Sequence, residues 1–225
     1  MIRIVAIADS HGSHDELKMP DGDILVVAGD FCGLGDMDDV INFNKWLRTL
    51  PHRRKIIVPG NHDLICPANK ELVKQMFGDA IYLDMEGAQV MNLRFFGSPW
   101  TPRFYSWAYM YPRNSGQAKD IYAQVPSNTD ILITHGPAHG TKLGWVPDGH
   151  NGGEDAGCEV LRQRIEALQG LKAHICGHIH CGGHQTDMVG KVPSYNVSVM
   201  NEEYWVTNPP TVIDIEGDPL APELI

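Results

Sequence analysis

Short runs of apolar residues alternate with polar stretches along the chain, and many of these runs end at Gly, Asp, Asn or His. Short apolar runs bounded by such residues predict buried strands. We expect strands at residues 2–8, 24–28, 55–58, 89–96, 131–134, 173–176, 195–199 and 211–215. Between the second and third runs, Val40, Phe43 and Leu47 recur at helical spacing, which predicts a helix over residues 36–50. Residues 158–168 form the clearest later helix.

Strands that alternate with helices and then continue to the end of the chain predict mixed sheets covered by helices. The 225 residues are enough for one large core, so we expect a single α/β domain over residues 1–225. Residues 97–117 and 136–157 show no regular period. Irregular segments of that length inside a compact domain are usually functional loops.

The amino-acid composition and net charge of the chain limit the classes of partner that we expect it to bind. Apolar residues make up 43% of the chain and charged residues 20%, which is typical of soluble globular domains. The formal net charge of −10 disfavours long nucleic acid and anionic membranes as partners. The sequence shows no apolar run long enough to span a bilayer and no signal-peptide pattern, so we expect a cytoplasmic protein. Five irregularly spaced cysteines indicate reduced thiols.

Metal-ligating side chains follow five of the predicted strands, where an α/β sheet presents its ligands. Asp9 and His11 are two residues apart after the first strand, so they can project to the same side. Oxygen and nitrogen donors of this kind suit a catalytic divalent ion better than a structural zinc site. Cys176 and Cys181 flank one His pair, but the sequence lacks the second cysteine pair that a zinc knuckle needs.

The order of these residues resembles the five motifs of the calcineurin-like metallophosphoesterases. The motifs here are Asp9-x-His11, Gly29-Asp30, Gly60-Asn61-His62-Asp63, His135 and Gly177-His178-x-His180. A closer resemblance, to the small metallophosphoesterase-domain-containing subgroup, rests on Gly97-Ser-Pro-Trp100, Phe104-Tyr-Ser-Trp107-Ala108, Thr134-His-Gly-Pro137 and Asn208-Pro-Pro210. The resemblance implies an αββα sandwich of two mixed β-sheets flanked by helices, with a two-metal site.

The resemblance also implies roles for the motif residues. One divalent ion would be held by Asp9, His11 and His180, and the other by Asn61, His135 and His178, with Asp30 as the bridge. Manganese is expected, and Fe, Zn, Co or Ni would also suit these ligands. Paired ions activate a bridging water, so hydroxide would attack phosphorus. His62 would stabilise the phosphoryl oxygens or protonate the leaving alkoxide, and Asp63, where many relatives carry Glu, would orient His62.

Residues 97–113 combine six aromatic side chains with Arg103 and Arg113. Aromatic faces can stack a base or aryl group while Arg pairs with a phosphate oxygen, but such a density of aromatics is equally typical of a packed core. His139 lies in a Gly-Pro-rich loop, where it serves either the edge of the site or the loop itself. Arg103, Arg113 and His139 are therefore candidate substrate contacts.

These observations favour an enzyme that hydrolyses small phosphodiesters such as cyclic nucleotides. A phosphomonoesterase of the same fold is the main alternative. A nuclease would use the same metal chemistry, but the net charge argues against long nucleic acid. A non-catalytic binding module is the third alternative, and the complete set of motif residues argues against it.

Overall fold

The computed structural model describes residues 1–113, 115–147 and 152–221, which form two β-sheets packed face to face with helices outside them. The first sheet contains β1 (Ile2–Ile7), β2 (Ile24–Ala28), β3 (Arg54–Val58), β4 (Ile81–Tyr82) and β15 (Thr211–Ile215). Its spatial order is β15-β1-β2-β3-β4. Strands β1 to β4 are parallel, and β15 is antiparallel to β1.

The second sheet contains β5 (Glu86–Val90), β6 (Leu93–Ser98), β9 (Ile131–Thr134), β12 (Ala173–Cys176), β13 (Gln185–Val189) and β14 (Val192–Asn196). Its order is β13-β14-β12-β9-β6-β5, with four parallel central strands and an antiparallel strand at each edge. Two short pairs lie in the irregular segments: β7 (Thr101–Pro102) with β8 (Met110–Tyr111), and β10 (Trp145–Val146) with β11 (Glu154–Asp155).

The helices cover the outer faces of the two sheets. They are α1 (Met37–Thr49), α2 (Lys70–Phe77), α3 (Gln117–Ala123) and α4 (Glu159–Ala167). α1 begins after Asp36, whose carboxylate accepts a hydrogen bond from the Asp39 amide. α1 and α2 pack on the first sheet, and α3 and α4 pack on the second.

Three apolar layers explain the unbroken apolar runs of the sequence. In β1, Ile4 and Ala6 face the layer between the two sheets, whereas Val5 and Ile7 face the layer under α1 and α2. A parallel strand buried on both faces must be apolar at every position. The αββα sandwich predicted from the motifs is confirmed.

Two predicted strands have different limits in the structure. The run 89–96 is not one strand, because β5 and β6 meet there in a tight turn at Met91 and Asn92, whose φ angles are +49° and +60°. The run 195–199 is shifted, since β14 ends at Asn196. Helices α2 and α3 were not predicted, because eight and seven residues give too few turns to establish a period.

Within residues 1–113, 115–147 and 152–221, no helix has the length and apolar content that crossing a membrane requires.

Candidate metal centre

The predicted ligands come together because parallel strands of both sheets end at the same edge of the sandwich. Asp9 follows β1, Asp30 follows β2 and Asn61 follows β3, while His135 follows β9 and His178 follows β12. Backbone hydrogen bonds join neighbouring strand ends: the Asp9 amide donates to the Gly29 carbonyl at 3.0 Å, and the Gly177 amide donates to the His135 carbonyl at 2.9 Å. The site therefore lies where open α/β sheets place their ligands.

The backbone is strained at several of these positions. Asp9, His11, Asp30 and His178 have φ angles of +56°, +39°, +53° and +69°, in the left-handed region that non-glycine residues rarely adopt. Each such residue costs on the order of 1–3 kcal/mol, and strain of this kind clusters at functional sites. The fold therefore holds the side chains in directions that an unconstrained chain would avoid.

Three overlapping groups of donor atoms lie within 4.8 Å of one another, namely Asp9, His11 and His180; His11, Asp30 and His62; and Asp30, His135 and His178. In the first, His11 Nε2 is 3.3 Å from His180 Nε2. In the third, His135 Nε2 is 3.3 Å from Asp30 Oδ1, and it is also 2.8 Å from Asn61 Oδ1. Asp30 contributes to two groups, the position expected of a bridging carboxylate.

His135 and His180 both point Nε2 into the cluster and Nδ1 at a backbone carbonyl. His135 Nδ1 is 2.9 Å from the Ala28 carbonyl oxygen, and His180 Nδ1 is 2.9 Å from the Asn201 carbonyl oxygen. A carbonyl only accepts, so each Nδ1 carries a proton and each Nε2 faces the cluster, where it would bind an ion once any proton on it is lost. These donors fit divalent ions.

The electrostatics of the cluster keep two candidate ligand rings neutral and favour a cation beside Asp30. Burial lowers the pKa values of His11 and His178 to about 3, so both rings are neutral and able to bind a metal at neutral pH. Burial also opposes a charge on His135, but the carboxylate of Asp30 outweighs it and raises the pKa of His135 to about 9. A cation beside Asp30 is therefore strongly stabilised.

Gly60 allows the backbone to approach the ligands closely. A Cβ at this position would overlap the Asp30 carboxylate and would lie 2.6 Å from the Asp30 nitrogen and 2.7 Å from His135 Cε1. No side chain fits there without moving both ligands.

The expected role of Asp63 is corrected by the structure. Its fully buried carboxylate accepts hydrogen bonds from the backbone amides of Gly60 at 2.6 Å, Cys32 at 2.9 Å and Asp30 at 3.1 Å. Among the described residues, these amides and not the His62 ring are its partners. The side chain points beneath the strand ends, so Asp63 fastens the loops after β2 and β3 to each other.

The sequence model of the calcineurin-like phosphoesterases matches residues 2–182 of the chain. The chain belongs to this family. It is 37% identical over 238 residues to the human and mouse proteins named Metallophosphoesterase domain-containing protein 1, a match that covers 95% of this chain and 71% of each relative. A crystal structure of TT1561 from Thermus thermophilus superposes with a TM-score of 0.61 at 14% identity, covering 88% of this chain and 89% of that one, which shows the shared fold.

A cavity of about 470 Å³ opens above the ligand cluster of this calcineurin-like phosphoesterase. His11, Asp30 and His178 contribute to its lining, as do Arg103 and Tyr105 from the irregular segment after β6. Cavities of this size hold small-molecule ligands.

The aromatic residues of segment 97–113 divide between the two roles expected for them, packing in the core and stacking on a substrate. Tyr111 is completely buried, and Tyr109 is buried with its hydroxyl donating to Asp84 at 3.1 Å, so both belong to the core. Phe104, Tyr105 and Trp107 are exposed and line the cavity. Tyr109 therefore cannot stack a substrate, while the other three rings remain available.

The three candidate substrate contacts also differ. Arg103 is exposed in the cavity wall, and within the described residues its side chain has no hydrogen bond or ion pair. Arg113 also lines the cavity, but its guanidinium donates to the Gly157 and Ala156 carbonyls and to Glu159, each at 2.8 Å. His139 lies 3.1 Å from Asp155, and it is absent from the described cavity lining. The side chains of Arg113 and His139 thus both contact residues 155–159.

Two aromatic residues beside the ligands were not predicted as site residues. The ring of Trp107 stacks on His62, and the ring of Tyr204 packs edge-on against His11 and His180, with centroids 4.9 and 5.1 Å away. Tyr204 shares a left-handed φ of +61° with the ligands. The sequence carried one signal, because Glu-Glu-Tyr-Trp follows the apolar run 195–199 just as the ligands follow theirs.

Proposed function

We propose that this metal-dependent phosphoesterase is a phosphodiesterase that acts on small phosphodiesters such as cyclic nucleotides. The observation that carries the proposal is the cavity itself, which joins the ligand cluster to the exposed rings of Phe104, Tyr105 and Trp107. If the phosphorus atom of a bound substrate lies at the ligand cluster, one of its ester substituents would lie against these rings. Base or aryl groups stack favourably on such faces.

The charge of the cavity wall favours a diester over a monoester. Glu154 and Glu202 line the cavity, and the charge of Arg113 is balanced by Glu159, which leaves Arg103 as the cation best placed for substrate. A phosphodiester carries one negative charge, whereas a monoester carries nearly two at neutral pH. With acidic residues in the wall, the singly charged ester is the better match.

The ligands would hold two divalent ions, for which we expect manganese. Such ions, when bound, supply Lewis acidity at phosphorus and lower the pKa of water. His62 lines the cavity beside His11, with a centroid distance of 4.6 Å between the two rings. From there it can donate a proton to the leaving alkoxide or a hydrogen bond to the phosphoryl oxygen, a contribution of about 10²–10⁴-fold.

The test compares esters on Mn²⁺-loaded protein: bis-p-nitrophenyl phosphate, p-nitrophenyl phosphate, and 2′,3′- and 3′,5′-cyclic AMP. We expect kcat/KM for the diesters to exceed that for the monoester by about 10-fold or more, equivalent to about 1.4 kcal/mol. Asp30→Ala should be inactive, which excludes a contaminant. A faster monoester would establish a phosphomonoesterase, and cleavage of oligonucleotides with a steep salt dependence would indicate a nuclease.

A further inference from the structure

The indole ring of Trp107 lies almost flat on the imidazole ring of His62. Their centroids are 4.2 Å apart and their planes differ by 20°. On another side, the His11 ring meets His62 edge-on at 4.6 Å with an interplanar angle of 82°. His62 is therefore held between an aromatic face and the ring of a candidate metal ligand.

The backbones around both residues are hydrogen-bonded to the ends of the neighbouring strands β2 and β3. The His62 amide donates to Asp30 Oδ1 at 2.8 Å. The Ala108 amide, next to Trp107, donates to the carbonyl of Asn61 at 3.1 Å. The residue after Trp107 is thus hydrogen-bonded to the residue before His62. This bond holds the two backbones together, so loop motion does not easily separate the two rings.

Among the described residues, no carboxylate is hydrogen-bonded to the His62 ring: Asp63 is bonded to backbone amides, and Asp30 lies within 4.8 Å of a His62 ring nitrogen without a hydrogen bond to it. A proton donor must keep its nitrogen within hydrogen-bond reach of the reacting oxygen, and a free ring would lose that position by rotating about its side-chain bonds. Stacking on Trp107 supplies a restraint on the His62 ring in place of a carboxylate hydrogen bond.

We propose that Trp107 is a positioning residue that fixes the His62 ring for proton donation or phosphoryl contact. This inference rests on the proposed hydrolysis of phosphodiesters and adds a residue to it. The alternative use of Trp107 is direct: its side chain is 38% exposed in the cavity, so its ring could instead stack on substrate. The two uses make opposite predictions once His62 is removed.

A double-mutant cycle on the Mn²⁺-loaded protein separates them, with a 3′,5′-cyclic nucleotide as substrate. Trp107→Ala should lower kcat by about 10- to 100-fold with little change in KM, because a misplaced group slows the reaction without weakening binding. Trp107→Phe, which keeps an aromatic face, should stay within about 3-fold of wild type. In the His62→Ala background, Trp107→Ala should add a loss of less than about 2-fold.

Tyr105→Ala is the matched control, since Tyr105 is an exposed ring of the same segment and makes its ring contact with Phe104. Its effect should be the same with and without His62, because it acts on substrate directly. If Trp107→Ala behaves like Tyr105→Ala and its loss multiplies with that of His62→Ala, Trp107 contacts substrate and the positioning role is wrong.

A second readout needs no turnover. In the Zn²⁺-loaded protein, the NMR signals of the His62 ring protons should be shifted upfield by the indole and assigned by their loss in His62→Ala. Trp107→Ala should move them downfield, and Trp107→Phe should retain part of the shift, with unchanged metal content and circular dichroism. An unmoved signal would overturn the positioning role, whereas failure to hydrolyse any phosphoester would overturn the proposed function.

Discussion

The imidazole of His180 donates its Nδ1 proton to the backbone carbonyl of Asn201 at 2.9 Å. The Asn201 side chain in turn accepts hydrogen bonds from the backbone amides of Glu203 and Trp205, which shapes the turn that carries Tyr204. One short segment therefore fixes the tautomer of a candidate ligand and lays an aromatic ring against it. Mutation of outer partners of this kind typically costs about 10- to 100-fold in metal affinity or activity.

Tyr204→Ala should accelerate metal release by about 10-fold, because it exposes the edges of His11 and His180 to water and chelator. Tyr204→Phe should keep the wild-type rate, since the contacts are made by the ring. Metal transfer to a coloured chelator measures both rates. Trp205→Ala is the control, because its side chain is 68% exposed and only its backbone amide bonds to Asn201. Equal rates for Tyr204→Ala and Trp205→Ala would contradict a covering role.

Asp30→Ala should remove both ions, whereas His180→Ala should remove one. Asp30 belongs to two of the three donor groups and His180 to a single group. Mass spectrometry of the metal content after dialysis distinguishes the two outcomes. Chelation of the wild-type protein should abolish hydrolysis reversibly, with Mn²⁺ among the ions that restore it. Two tightly held ions in Asp30→Ala would show that the bridge lies elsewhere.

Asp63→Ala should lower the free energy of unfolding of the metal-free protein by about 3 kcal/mol or more, because three backbone amides lose their buried acceptor. Asp63→Asn keeps one acceptor oxygen and should lose less. Urea unfolding measures the change, with His62→Ala as a control that leaves stability nearly unaltered. If Asp63→Ala is stable but slow, Asp63 orients His62 after all.

Replacement of Arg103 by Ala should weaken substrate binding, whereas replacement of Arg113 by Ala should lower thermal stability. Arg103→Ala should raise KM for diesters by about 10-fold or more, the loss of one charge-assisted hydrogen bond, with unchanged thermal stability. Arg113→Ala should instead lower the melting temperature, because four hydrogen bonds to residues 155–159 are lost. Paired kinetics and thermal unfolding decide the assignment, and a stable Arg113→Ala with a raised KM would reverse it.

Acid should destabilise the metal-free protein partly through His174. Burial lowers the pKa of this ring to about 3, while an unfolded histidine titrates near 6.5. Below about pH 6.5 the unfolded chain therefore takes up the proton first, and stability falls by up to about 1.4 kcal/mol per pH unit until the folded ring titrates.

His174→Gln tests this assignment, because Gln can still donate to the Thr134 hydroxyl, which lies 2.8 Å from His174 Nε2. Unfolding free energies between pH 7 and pH 4.5 should show a shallower slope in the variant. His14 and His52, whose pKa values burial also lowers, contribute to both proteins alike. Identical slopes would assign the acid sensitivity to other groups.

The sequence was informative where structure follows from local pattern. The strands with buried faces are continuous apolar runs, and the ligands follow directly after them, so Asp9, Asp30 and His178 could be found from position alone. The turn at Met91 and Asn92 could not, because Met rarely adopts a positive φ.

Contacts between distant segments account for what the pattern missed. Trp107 stacks on a residue 45 positions earlier, and Tyr204 covers a ligand at position 11. Adjacency in the chain favours a contact between Asp63 and His62, but the Asp63 carboxylate bonds across to Asp30 and Cys32. The Asp63 side chain points toward buried backbone amides, and the identities of neighbouring residues in the sequence do not reveal that direction.

The candidate ligands come from both sheets of the sandwich: Asp9, Asp30 and Asn61 follow strands of the first sheet, and His135, His178 and His180 follow strands of the second. A nascent chain therefore cannot assemble the site until its later half has been synthesised and has docked on the earlier half. Ions bound there would link ligands from both sheets. Because they would bind only when the two halves are docked, they would favour the docked state by mass action.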